Sequence, residues 1–121
     1  MIYLKERAIT KGEIIAFLPL ITKEFKISFD VMIKTYSKVA QFENVIHLTT
    51  DGDKKKYGDR IPGVWFLNKR LYIFTALNNN KNTMFHSSQN FDPGKWIHIE
   101  MSQTKDTNSE QVILSFSIIG L

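Results

Sequence analysis

Three stretches of this chain alternate apolar and polar residues with a period of two, and that period limits the fold more than any other feature. Phe25, Ile27, Phe29, Val31 and Ile33 fall on one side of an extended chain, with Lys26, Ser28, Asp30 and Lys34 on the other. Ile97, Ile99 and Met101 oppose Trp96, His98, Glu100 and Ser102, and Val112, Leu114, Phe116 and Ile118 alternate with Ser115 and Ser117. Successive side chains of a strand point to opposite faces, so each stretch predicts a strand with one face in a core and one in water. The runs Glu13–Leu18, Asn44–Thr49, Val64–Leu67, Arg70–Leu77 and Thr83–Ser87 are shorter and less regular but rich in strand-forming residues. No stretch carries a helical period.

Turn chemistry separates these runs. Asn68-Lys69-Arg70 predicts a tight hairpin between Phe66 and Leu71. Asn78–Asn82 favours a left-handed turn, because asparagine tolerates positive φ better than other non-glycine residues. Asp92-Pro93-Gly94 marks a turn ahead of Trp96. Between Val45–Thr50 and Val64-Trp65-Phe66 lies a polar loop with Asp51, Asp53 and Lys54–Lys56, from which the chain turns inward through Gly58, Pro62 and Gly63. Roughly eight strands with turns about ten residues apart predict an all-β, antiparallel two-sheet sandwich. A single domain over 1–121 is expected, with 1–11 as an N-terminal strand or arm. The closing sequence Ile118-Ile119-Gly120-Leu121 reads as a strand entering a turn, so a further strand is expected beyond it. The sandwich is therefore expected to be incomplete in this chain, with self-association through the C-terminal strand edge as a consequence.

Composition removes several functions. With no cysteine there is no disulfide framework, no thiolate metal site and no cysteine nucleophile. No apolar run approaches the ~20 residues of a membrane span. The charged opening Met1–Arg7 lacks the apolar core of a signal peptide, which points to an intracellular protein or a segment of a longer chain. The net charge of +4 is dispersed except at Lys54–Lys56, which reads as a solvated loop tip, so no nucleic-acid partner is expected.

The chemistry-bearing residues are sparse. Asp51, Asp53 and Asp59 cluster in sequence, but position 12 counted from Asp51 is Pro62, where a calcium loop needs a bidentate glutamate. Three lysines in the same loop oppose a dication, so no metal is expected, and Asp59 and Arg60 read as a structural ion pair or backbone partners. His47, His86 and His98 share no ligand spacing. Glycoside hydrolysis needs two carboxylates facing one sugar. Glu100 is the lone acid of its strand, flanked on its face by His98 and Ser102, which reads as a half-exposed polar face. No Gly-X-Ser-X-Gly elbow is present. No catalytic residue and no cofactor are assigned. Aromatic and amide side chains for ligand binding are supplied by Tyr36, Tyr57, Tyr72, Asn78, Asn80 and Phe85. Trp65 and Trp96 adjoin apolar strands and read as packing residues.

Taken together, Glu24–Asp30, Asn44–Thr49, Tyr57-Gly-Asp-Arg-Ile-Pro-Gly-Val-Trp-Phe66 and Gly94–Gln103 resemble the concanavalin A-like, laminin-G-like jelly-roll superfamily over roughly residues 12 to 120. More narrowly, the chain resembles modules of this type in multidomain extracellular proteins of invertebrates. The resemblance implies a jelly-roll sandwich, an extracellular setting and a non-catalytic recognition function toward a glycan or an extracellular protein surface. A structural or assembly role through an open sheet edge is the alternative expectation.

Overall fold

The computed structural model describes residues 3–18, 24–50, 60–78, 80–106, 108 and 111–120, those at 81, 112, 116 and 120 by their backbone alone. Among the described residues seven strands follow in order: β1 (Phe25–Met32), β2 (Glu43–His47), β3 (Gly63–Leu67), β4 (Arg70–Leu77), β5 (Asn80–His86), β6 (Trp96–Lys105) and β7 (Val112–Gly120). They form two antiparallel sheets, β1-β6-β7 and β2-β3-β4-β5. The second sheet is a simple meander. The first is interrupted by it: β1 pairs with β6, and β7 returns along the far side of β6.

The period-two stretches become β1, β6 and β7. On β6, Ile97, Ile99 and Met101 are fully buried, while Trp96, His98, Glu100 and Ser102 face outward. One core cluster joins the sheets, drawing Val31, Ile97, Ile99 and Met101 from the first, Val64, Phe66, Leu71 and Ile73 from the second, and Phe91 from the β5–β6 connection. Each such side chain contributes about 1.5–3 kcal/mol by leaving water. The all-β two-sheet sandwich is thus the observed architecture. Glu13–Leu18 departs from expectation. It forms no strand and lies outside the sandwich with most of its apolar side chains exposed.

The hairpins follow the turn residues. Asn68 and Lys69 both take positive φ (48° and 67°) between β3 and β4, the twist that lets two strands close through two residues. Asn78 is left-handed at φ 54°, and the Asn80 side chain accepts the backbone N–H of Asn82 at 3.0 Å. Gly94 takes φ 82° and donates its N–H to Ile33 O at 2.8 Å, tying the β5–β6 connection to the end of β1. Buried Ser87 closes the end of the β4–β5 pair. Its hydroxyl accepts Leu71 N–H at 3.0 Å and donates to Gln89 O at 3.0 Å.

Candidate functional site

The two outer faces of the sandwich differ in chemistry. On the three-stranded sheet, the part of the face shared by β1 and β6 is polar and self-paired. Asp30 lies opposite His98 across the β1–β6 ladder, with its carboxylate 2.6 Å from His98 Nδ1. His98 Nε2 is 3.8 Å from Glu100, whose carboxylate takes a 3.0 Å ion pair from Lys26 Nζ. That hydrogen bond and charge hold the Glu100 carboxyl below the usual range. Period-two spacing alone paired His98 with Glu100. The register adds Asp30 and Lys26, which convert an apparent acid–base pair into a surface ion network. Trp96 belongs to this face and is exposed opposite Met32, so it is not the packing residue that its neighbours suggest.

The outer face of the four-stranded sheet is aromatic. Val64 and Phe66 point into the core, so Trp65 between them points out, and on β4 Tyr72 and Phe74 alternate outward with buried Leu71, Ile73 and Thr75. The register sets Asn44, Trp65, Tyr72 and His86 in one row and His47, Gly63, Phe74 and Met84 in the next. Phe42, just ahead of β2, crosses onto this surface. Its ring stands edge-on to Tyr72 at 5.2 Å and to Phe74 at 5.7 Å. Trp65 meets Phe74 at 5.3 Å and His47 at 5.4 Å, and Tyr72 meets His86 at 5.5 Å. Edge-to-face contacts of this kind are favoured by the ring quadrupole.

Two residues make the arrangement possible. Gly63 lies beneath the Trp65 indole, and a Cβ there would come within 2.2 Å of a ring carbon, so glycine is what lets the ring lie flat on the sheet. Arg60 lies over the rings of Trp65 and Phe74, 4.9 and 5.1 Å from their centroids, and reaches Asn82 Oδ1 at 3.3 Å. Its backbone is fixed as well: Arg60 O accepts Ala76 N–H at 3.1 Å, and the following Ile61 and Pro62 pair with Leu48. A guanidinium so held is a rigid cation on an aromatic surface. Under this cover Trp65 is only 7% exposed, whereas Phe42 remains 48% exposed.

Of the residues singled out from sequence, Tyr72 belongs to this face. Asn80 begins β5 at its margin, exposed, and Asn78 forms the preceding turn. Tyr36 and Phe85 pack on the opposite side, against the core. The Tyr36 hydroxyl donates to Phe91 O at 2.8 Å, its ring stands edge-on to Phe66 at 5.9 Å, and burial pushes its pKa up to about 12. The structure therefore does not bring the six together. Tyr57, the lysine run and Asp51, Asp53 and Asp59 lie outside the described residues. Among the described residues, no group of three or more His, Asp or Glu side chains could hold a metal ion, and no helix is long and apolar enough to cross a membrane.

Phe42, Phe74, His86, Met84 and Arg60 are the members that sequence reasoning missed, whereas Trp65 is the packing residue that it expected, buried under Arg60 and against Phe74. Arg70–Leu77 did carry a signal, since its aromatics alternate with aliphatics and leave neither face of the strand polar. Phe42 and Arg60 sit in connections, where no period places them. Comparison with family models, with curated proteins and with solved structures finds no match to this chain.

Proposed function

We propose that this domain is a non-catalytic recognition module, of the concanavalin A-like, laminin-G-like jelly-roll kind and extracellular, that binds a glycan on the outer face of its four-stranded sheet. One observation carries this reading: the surface built from Phe42, Trp65, Tyr72 and Phe74 is aromatic where a solvent-facing sheet is ordinarily polar. Sugars present apolar C–H faces that pack on rings, and they need hydrogen-bonding groups at the margin for orientation. Asn44 and His86 flank the rings here, and Asn82 is tied to them through Arg60. The rings rest on paired strands and on each other, so little side-chain freedom remains to be lost on binding.

The test is titration with a panel of soluble oligosaccharides, read by tryptophan fluorescence and by calorimetry. A ligand is expected to perturb Trp65. Phe42→Ala and Tyr72→Ala are each expected to weaken it about tenfold, the loss of one ring contact, without changing the fold. Binding that persists in both variants, or a surface that takes only protein partners, would remove the reading.

A further inference from the structure

Basic residues that are dispersed along the chain are gathered by the fold at one pole of the sandwich. Three connections meet there: β1–β2, the β3–β4 hairpin and β5–β6. Hydrogen bonds lace them together. Phe91 N–H donates to Lys69 O at 2.8 Å, Gly94 N–H to Ile33 O at 2.8 Å, and the Tyr36 hydroxyl to Phe91 O at 2.8 Å. Each connection brings exposed cations: Lys34 and Lys38 from the first, Lys69 and Arg70 from the second, Lys95 from the third. Glu43 and Asp92 share the pole and offset little of this charge. Glu43 is half-buried and accepts Ser37 N–H at 2.9 Å, and Asp92 lies 4.0 Å from Lys69. Among the described residues no ion pair engages Lys34, Lys38, Arg70 or Lys95.

The same pole holds apolar side chains in water beside its cations. Val39, 69% exposed, follows Lys38, and Trp96, 38% exposed, follows Lys95. Both are fixed in place. The Ser37 hydroxyl accepts Val39 N–H at 3.2 Å and the Gln41 side-chain amide at 3.2 Å, which shapes the β1–β2 connection around Val39. Trp96 opens β6 in register with Met32. An apolar tip adjoining a lysine suits the boundary of a bilayer, where the tip enters the acyl region and the ammonium stays among the headgroups. Tryptophan is favoured at that same depth. A nucleic acid or a sulfated polymer would engage the cations equally well, but it offers Val39 nothing apolar to enter.

We propose that this pole docks the domain on an anionic lipid surface, with its cations among the headgroups and Val39 and Trp96 at the acyl boundary. Charge complementarity supplies the attraction, about fivefold in affinity for each lysine or arginine held close to such a surface. It acts within a Debye length, so salt weakens it. Cations on three connections make a broad contact rather than a single point. The bonds between those connections leave little to be ordered on docking. The contact is peripheral and crosses no membrane. It is independent of the glycan reading, since it uses none of the rings of Trp65, Tyr72 and Phe74.

The test is co-sedimentation of the full chain with vesicles of phosphatidylserine and phosphatidylcholine in equal parts, beside vesicles of phosphatidylcholine alone. Binding is expected to the first and not the second, and it should weaken as salt is raised. Lys38→Gln and Lys95→Gln should each weaken it about fivefold and Val39→Ser about tenfold, all three leaving the thermal transition in place. Of the two tryptophans, Trp65 is 7% exposed and covered by Arg60, so a blue shift of emission on binding reports Trp96. The proposal is overturned if neither vesicle binds or if both bind alike. It is overturned equally if the anionic vesicles bind while Val39→Ser and the Trp96 emission make no difference. That last result would make the pole a site for soluble polyanions, which dextran sulfate would then occupy as tightly as the vesicles.

Discussion

The Trp65 ring lies directly over the backbone of its own strand, and a single missing methyl group makes that placement possible. At Gly63 the constraint is space, since its φ lies outside the left-handed region and the obstacle to a side chain is the indole itself. Gly63→Ala is therefore expected to lift Trp65 off the sheet, break its contacts with His47, Phe74 and Arg60, and cost about 1–3 kcal/mol in overpacking. Chemical denaturation would measure the loss. A red shift of tryptophan emission would show that the ring has moved toward water, and an unchanged spectrum would mean that the strand bends instead.

At the scale of elements, the β3–β4 hairpin is built through a compromise. Its two turn residues both need positive φ; Asn68 accepts this readily, whereas Lys69 adopts it against its Cβ. Lys69→Gly is expected to stabilise the protein by about 1 kcal/mol, seen as a raised denaturation midpoint. The Lys69–Asp92 pair that it deletes is 4.0 Å long and exposed, and contributes little. This hairpin also shows how far the sequence reaches. Asn68-Lys69-Arg70 is short and sits between two apolar runs, so the turn is legible, as are the faces of β1, β6 and β7, because period two acts locally. Glu13–Leu18 has the composition of a strand, yet composition does not supply the neighbouring strand that makes one. The aromatic face was hidden for a related reason. Its rows are set by the register between β2, β3, β4 and β5, which no single run encodes, and its cover comes from Phe42 and Arg60 in connections. Tyr36 looked like a ligand-facing tyrosine because it lies in a polar connection. Only the tertiary structure shows its ring against Phe66.

Across the whole molecule, Tyr36 joins two long connections, β1–β2 and β5–β6, through its bond to Phe91 O. Its folded pKa, pushed up to about 12 first by burial and then by the nearby Glu43 and Asp92 carboxylates, exceeds the ordinary phenol value of 10.0. The folded state thus holds this proton more tightly than the unfolded chain. Stability from this source is whole below pH 10 and declines as pH rises from there toward 12. Melting temperatures followed over that window should fall more steeply for the natural protein than for Tyr36→Phe, and parallel curves would show that the phenol is indifferent to folding. The sheet order carries one more consequence, for synthesis. β1 has β6 as its partner, and Asp30 and His98 stand 68 residues apart. As the chain leaves the ribosome, β2 to β5 can zip together from near neighbours, while the strand Phe25–Met32 waits with its backbone edge unpaired until β6 emerges. The interval in which this protein is most prone to stick to others, and most in need of a chaperone, is written into the position of one strand.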